Sequence, residues 1–234
     1  MGGFRFKTIL FYGILTLLTL IAIILIITVN SQTKFAAGEA QLQIDVLLDA
    51  GHGGMDGGAV SPDGVCEAPI TLAIAQKTQV LLGFCGTQAL MTRSDDPSLD
   101  YDPSATTREN KNADLKARLE LAKQYPACPF LSIHLNQFSQ AKYAGAQVFY
   151  GPNGQELALA LQDRLRAILD PGNERVCKTA PEGVFLMKNI SSPAVTIECG
   201  FLSNPEECAK LQQDNYQTRI ALAIVSGYEQ YNRG

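Results

Sequence analysis

The sequence predicts an α/β domain with a mostly parallel central sheet and helices on both faces, preceded by one transmembrane helix. Short apolar runs of strand length alternate with segments of helical periodicity, the pattern of βαβ units. Several of those runs stop abruptly at a titratable residue or in a Gly-rich turn, which marks strand ends. A long uncharged apolar stretch stands near the amino terminus.

That stretch, Thr8 to Val29, is long enough to cross a bilayer core, whereas the apolar region of a cleavable signal is usually about 7–15 residues. Arg5 and Lys7 precede it, so the positive-inside rule leaves residues 1–7 in the cytoplasm and the body of the chain outside. Phe35-Ala36-Ala37-Gly38 keeps cleavage, and hence secretion, open. Phe6 at the sixth position excludes a myristoylation signal. Residues 30–43 read as a polar linker to a folded domain at 44–231.

Lys and Arg number 19 against 23 Asp and Glu, with no basic block, which argues against nucleic acid as a partner. Six cysteines are irregularly spaced without a CxxC pair. They define neither a zinc knuckle nor a disulfide scheme, and buried or free thiols are the expectation.

Within the domain, Ile44 to Asp49 reads as a buried strand leading into Gly51-His52-Gly53-Gly54, where glycines allow a sharp turn and put His52 on an exposed loop at the strand's carboxyl end. Ligands in open α/β sheets sit at that end, so His52 is a candidate metal ligand. A turn at Ser61-Pro62-Asp63-Gly64 precedes Glu67 and Pro69, which open a helix with Ile70, Ala73, Ile74, Val80 and Leu81 at helical spacing up to Gly83. Strands follow at Thr87 to Thr92, Phe130 to His134, Gly145 to Tyr150, Gly183 to Met187 and Ala194 to Ile197. Helices are expected at Ala113 to Lys123, Gln155 to Leu169, Pro205 to Gln212 and about Asn215 to Tyr231, the last with Ile220, Ile224 and Tyr228 on one face.

Three apolar strands therefore end at or near His52, His134 and Glu198, and Glu67 follows the first. Right-handed crossovers would bring those ends to one edge of a parallel sheet. Two imidazoles and two carboxylates there supply the His, His and carboxylate set of a catalytic zinc site, with the second carboxylate free to act as general base. The spacing alone does not say which carboxylate does which.

DAGHGGMDGGA from Asp49 with Glu67 after it, SIHLN from Ser132, and ECGFLSN from Glu198 together resemble the zinc-dependent N-acetylmuramoyl-L-alanine amidases, bacterial peptidoglycan hydrolases. The resemblance runs from about Ile44 to Tyr231. It implies that His52, Glu67 and His134 hold Zn2+ and that Glu198 is the catalytic carboxylate. KNADLKAR, KYAGAQVFYGPN and LDPGNER look most like the branch that acts on the spore cortex and takes part in making muramic-δ-lactam. Ala50 stands where the family usually has Pro, and Leu135 where it has Ala. The stretch between Tyr150 and Val184 has no room for the long regulatory helical insertion of some cell-division amidases. Peptidoglycan is the partner the resemblance implies; the apolar run adds the membrane through the anchor, and the need for an accessory protein stays open. The expected place is the extracytoplasmic side of a bacterial membrane, with the forespore intermembrane space as one candidate compartment.

Other readings are a cysteine hydrolase using Cys199 with His134, a general cell-wall amidase, and a wall-binding protein that keeps the fold without turnover. The Gly-rich loop has neither the GxGxxG spacing nor the Lys of a nucleotide cradle. Asn136 and Asn204 are candidates to orient ligands or to make turn hydrogen bonds, and Arg93 and Arg108 to meet peptide carboxylates or to form structural ion pairs.

Overall fold

The computed structural model describes residues 19–25, 43–95 and 102–233. The chain divides into two units, residues 1–43 and residues 44–234. In the first, residues 19–25 are helical and exposed. The expected span at 8–29 lies mostly outside the described residues, among which no helix is long and apolar enough to cross a membrane.

The second unit runs β1 (Val46–Ala50), α1 (Glu67–Phe84), β2 (Ala89–Met91), α2 (Thr107–Gln124), β3 (Phe130–Asn136), β4 (Gln147–Tyr150), α3 (Gln155–Leu169), β5 (Lys178–Thr179), α4 (Phe185–Asn189), β6 (Ala194–Phe201), α5 (Pro205–Leu211) and α6 (Asp214–Asn232). Its six-stranded sheet has the order β2-β1-β3-β6-β4-β5. Strands β2, β1, β3 and β6 are mutually parallel, whereas β4 runs antiparallel to β6. The reversal has a simple cause. Residues 137–146, between β3 and β4, contain no helix and are fewer than the dozen or more that a parallel crossover needs.

Strand alternation divides the sheet into two unlike faces. One carries Leu48, Ala50, Ile133, Val148, Ile197 and Cys199 against Ile74 of α1, Leu161 and Leu165 of α3, and Ile220, Ile224 and Tyr228 of α6. Each Leu, Ile or Val among them contributes roughly 1.5–3 kcal/mol when fully buried, so this layer is the main core. Gly227 lets α6 approach α3 closely, since a Cβ there would fall 2.7 Å from Leu161 Cα. On the other face Leu47, Phe130 and Ala194 meet Leu119 and Ala122 of α2 and Leu186 and Met187 of α4. Towards the carboxyl ends of β1, β3 and β6 that second face turns polar, with Asp49, Ser132, His134 and Glu198.

Local signals explain the helix starts. Thr106 and Glu109 form a capping box on α2, and the Asn204 side chain accepts hydrogen bonds from the backbone N–H groups of Glu206 and Glu207 at the start of α5. Asn204 is therefore a structural cap. Two expectations need correction. The segment expected as a strand at Gly183 to Met187 holds the short helix α4, because a brief apolar run has no period that separates a strand from a buried helical turn. Val80, expected on the inner side of α1, is exposed, and Thr78 and Leu82 are buried instead.

Candidate metal centre

β1 stops because the chain turns sharply after Ala50. His52 has φ 63°, and it is the non-glycine residue in the left-handed region among those described. Such a backbone costs on the order of 1–3 kcal/mol and persists only where surrounding contacts hold it. Two buried arginines supply them. Arg118 donates from Nη1 to Ala50 O at 2.8 Å and from Nη2 to His52 O at 2.7 Å. Arg93 donates to Ala50 O at 3.0 Å and to Gly51 O at 3.1 Å. The β1 turn is thus clamped from both sides.

The clamp is itself compensated. Asp49 and Asp114 pair with Arg118, and Ser132 and Thr92 donate to Asp49. Burial pushes the Asp49 carboxyl up, but the neighbouring Arg118 charge and the Ser132 hydrogen bond outweigh it and hold the group below its ordinary value. The same carboxylates hold the Arg118 guanidinium up against its own burial. A buried network of this kind fixes one geometry.

Glu67, the first residue of α1, projects between the two imidazoles. Its Oε2 lies 3.2 Å from His52 Nε2, and its Oε1 lies 2.9 Å from His134 Nδ1. The backbone N–H groups of Ala59 and Leu135 also donate to it, each at 2.8 Å. The two rings meet edge to face with centroids 4.9 Å apart. One ligand atom from each of His52, Glu67 and His134 fits within 4.8 Å of the others, so the three side chains can hold a metal ion. His, His and carboxylate are the donors of many catalytic metal sites.

Asp56 completes the arrangement. Its Oδ2 faces His52 Nδ1 at 2.9 Å, which leaves Nε2 for the cluster, and Lys111 pairs with the same carboxylate at 3.1 Å. Burial lowers the His52 pKa, but the hydrogen bonds to Asp56 and Glu67 outweigh it and raise it to about 9 in the metal-free protein. Burial would raise Glu67, yet its bonds to His134 and His52 hold it well below the ordinary range.

Two glycines make room. A Cβ on Gly51 would overlap the His134 ring, and one on Gly58, at φ 72°, would fall 2.7 Å from His52 Cδ2.

Glu198 stands beside this cluster. It is the register partner of His134 across β3 and β6, so both side chains leave the same face. Its Oε2 is the buried side-chain oxygen without a hydrogen-bond partner among the described residues. Burial pushes the carboxyl up to about 7. That suits a group which must both take and give a proton near neutral pH.

All four residues singled out in the sequence come together. Cys199 does not join them: it faces the main core, and burial raises its thiol well above the ordinary value. A thiolate nucleophile is excluded there. Arg93 proves to be a clamp on backbone carbonyls. Arg118, Asp49, Asp56 and Asp114 escaped the sequence reading, though Arg118 left a trace as a charge four residues after Asp114 on the side of α2 that carries Leu115, Leu119 and Ala122.

Comparison with known proteins places this geometry. Residues 46–230 match the N-acetylmuramoyl-L-alanine amidase family (Amidase_3). The germination-specific N-acetylmuramoyl-L-alanine amidase of Bacillus subtilis (strain 168) is 35% identical over 189 residues, which span 80% of this chain and 78% of that protein. The CwlD amidase of Clostridioides difficile, solved in complex with the GerS lipoprotein, has a TM-score of 0.78 at 41% identity and covers 82% of this chain and 99% of its own. AmiC2 of Nostoc punctiforme reaches a TM-score of 0.71 at 26% identity, over 82% and 98% of the two chains. The imidazole pair bridged by a buried carboxylate sits inside the matched region, and the chain belongs to the N-acetylmuramoyl-L-alanine amidase family.

Proposed function

We propose that His52, Glu67 and His134 hold Zn2+, and that Glu198 is the general base and then the general acid in cleaving the bond between N-acetylmuramic acid and L-alanine of peptidoglycan. The observation that carries the role of Glu198 is its buried, unpartnered Oε2 beside the His–Glu–His cluster. When bound, zinc supplies a Lewis acid and lowers the pKa of a coordinated water from about 16 towards about 7. Glu198 accepts a proton from the attacking water as its oxygen bonds to the lactyl carbonyl carbon. The C–N bond then breaks, and Glu198 returns the proton to the departing L-alanine nitrogen. Asp56 and the two arginines keep His52 in place throughout.

The substrate is the spore cortex in this reading, supported by the likeness to the germination-specific amidase and by the segments KNADLKAR, KYAGAQVFYGPN and LDPGNER. The uncharged run from Thr8 to Val29 supports a single-pass anchor with the catalytic domain outside the cytoplasm. The complex of the Clostridioides difficile relative with a lipoprotein supports an accessory partner at the same surface of the membrane.

The test is zinc content of the full chain, followed by release of stem peptides from purified peptidoglycan with and without a chelator. About one zinc per chain, new amino-terminal L-alanine and loss of both on chelation support the assignment. Cleavage that survives chelation overturns the metal role, and release of a terminal amino acid instead of L-alanine ends marks a carboxypeptidase.

A further inference from the structure

Beyond the paired His134 and Glu198 the register shifts by one residue, and Asn136 is paired with Phe201. Phe201 begins an aromatic row. Its ring stacks with Tyr143 at a centroid distance of 6.5 Å, and Tyr143 meets Phe138 edge to face at 4.7 Å. Phe138, at the outer end, is 51% exposed. Gln137 ties this loop back to the metal-site loop by donating to Val60 O at 2.7 Å.

The inner end of the row is capped by a cation. The Arg175 guanidinium lies 4.5 Å over the Phe201 ring, donates from Nε to Ala144 O at 2.6 Å, and donates from Nη1 to Gln147 Oε1 at 3.0 Å. Gln147 is the β4 register partner of Glu198, so Arg175 is anchored on the catalytic face one strand away from the base. Lys142 adds a second charge at 5.5 Å from the Tyr143 ring centre.

These two cations differ from the others around the site. Arg118 is paired with Asp49 and Asp114, Lys111 with Asp56, and Arg93 is spent on backbone carbonyls. Arg175 and Lys142 have no carboxylate within ion-pair distance among the described residues. Glu207, which is electrostatically coupled to Arg175, already accepts from the backbone N–H groups of Gly145 and Phe201. A guanidinium held over a ring by these contacts, with Nη2 donating to no acceptor among the described residues, is preorganised to meet a carboxylate.

We propose that Arg175, with the Phe138–Tyr143–Phe201 row, forms the subsite for the acidic stem peptide. This inference rests on the amidase reading and gives the substrate a direction. The scissile amide joins a sugar chain that carries no charge to a peptide that carries carboxylates. The cationic side therefore takes the peptide, which lies over β6 and β4, and the glycan leaves on the side of α2.

The experiment uses the full chain loaded with zinc and two N-acetylmuramoyl tripeptides, one with free carboxylates and one with every carboxylate converted to carboxamide. The wild type is expected to favour the acidic probe about tenfold or more in kcat/KM, mainly through KM, with the preference shrinking as salt is raised. In Arg175→Met the ratio between the probes falls towards one, and Arg175→Lys keeps part of it. Equal use of both probes by the wild type at low salt, or an unchanged ratio in Arg175→Met, overturns the proposal while leaving the amidase reading intact. A wild type that cleaves neither probe nor polymeric peptidoglycan overturns both.

Discussion

His134 and Glu198 face each other across β3 and β6, one bonded into the Glu67 cluster and the other with a bare buried oxygen. Adjacent parallel strands hold the His134 imidazole and the Glu198 carboxylate in fixed register. Glu198→Gln is expected to keep its zinc and to lose about 10²–10⁴-fold in kcat, the range of general acid–base catalysis. Metal analysis beside turnover separates this from a loss of the site.

The same residue carries a pH signature in the metal-free protein. Its carboxyl is raised from 4.5 to about 7, so the folded state binds the extra proton between those values, and stability falls as pH rises through that window. Glu198→Gln lacks this loss. Melting both chelated proteins at pH 4.5 and pH 8 should show the variant gaining about 1–3 kcal/mol on the wild type at the higher pH. A gap that does not change with pH would count against a raised Glu198.

Protons and metal compete for His52. Its charged form, stabilised up to about 9, contributes stability to the metal-free chain that is complete below pH 6.5 and lost as pH climbs through 9. Metal needs the neutral ring, so affinity should climb over the same interval, by up to about tenfold per pH unit for one displaced proton. Chelator competition at pH 6.5, 7.5 and 8.5 checks it; a flat affinity contradicts it.

Asp56→Asn replaces the carboxylate that orients His52 Nδ1. Outer partners of metal-binding imidazoles are worth about 10–100-fold in affinity, and a loss of that size is expected, together with loss of the stability that charged His52 gives the metal-free chain below its raised pKa. Undiminished zinc binding would reduce Asp56 to a loop contact.

Arg118→Met takes the cation away from two buried carboxylates and frees the His52 carbonyl. Breaking a buried pair from one side costs about 3–5 kcal/mol, readable as a shift in denaturant midpoint. Gly51→Ala is the milder probe: its methyl collides with the His134 ring, so the chain should fold but bind zinc at least about tenfold more weakly.

That His52, Glu67, His134 and Glu198 lie together was legible because each ends or follows an apolar run, and because only two histidines exist to be placed. The clamp was not. Arg118 looks like one more charge on a charged helix, and its burial depends on Asp49, whose strand is remote in sequence and adjacent only once the sheet forms. The left-handed backbone of His52 is equally invisible, since glycines on either side suggest that they alone absorb the turn. The antiparallel β4 could have been read from the short, helix-free connection after β3, a length argument rather than a pattern.

Alternation along β6 has one more consequence. Ile197 and Cys199 enter the main core while Glu198, between them, enters the site. A strand displaced by a single residue against β3 would drive the carboxylate into the apolar layer and offer the substrate a hydrocarbon or a thiol. Turnover is thus a proofreading mark on assembly: a chain that cleaves its substrate has threaded its innermost strands correctly, and the active fraction of a refolded, metal-loaded sample sets a floor on the correctly threaded molecules.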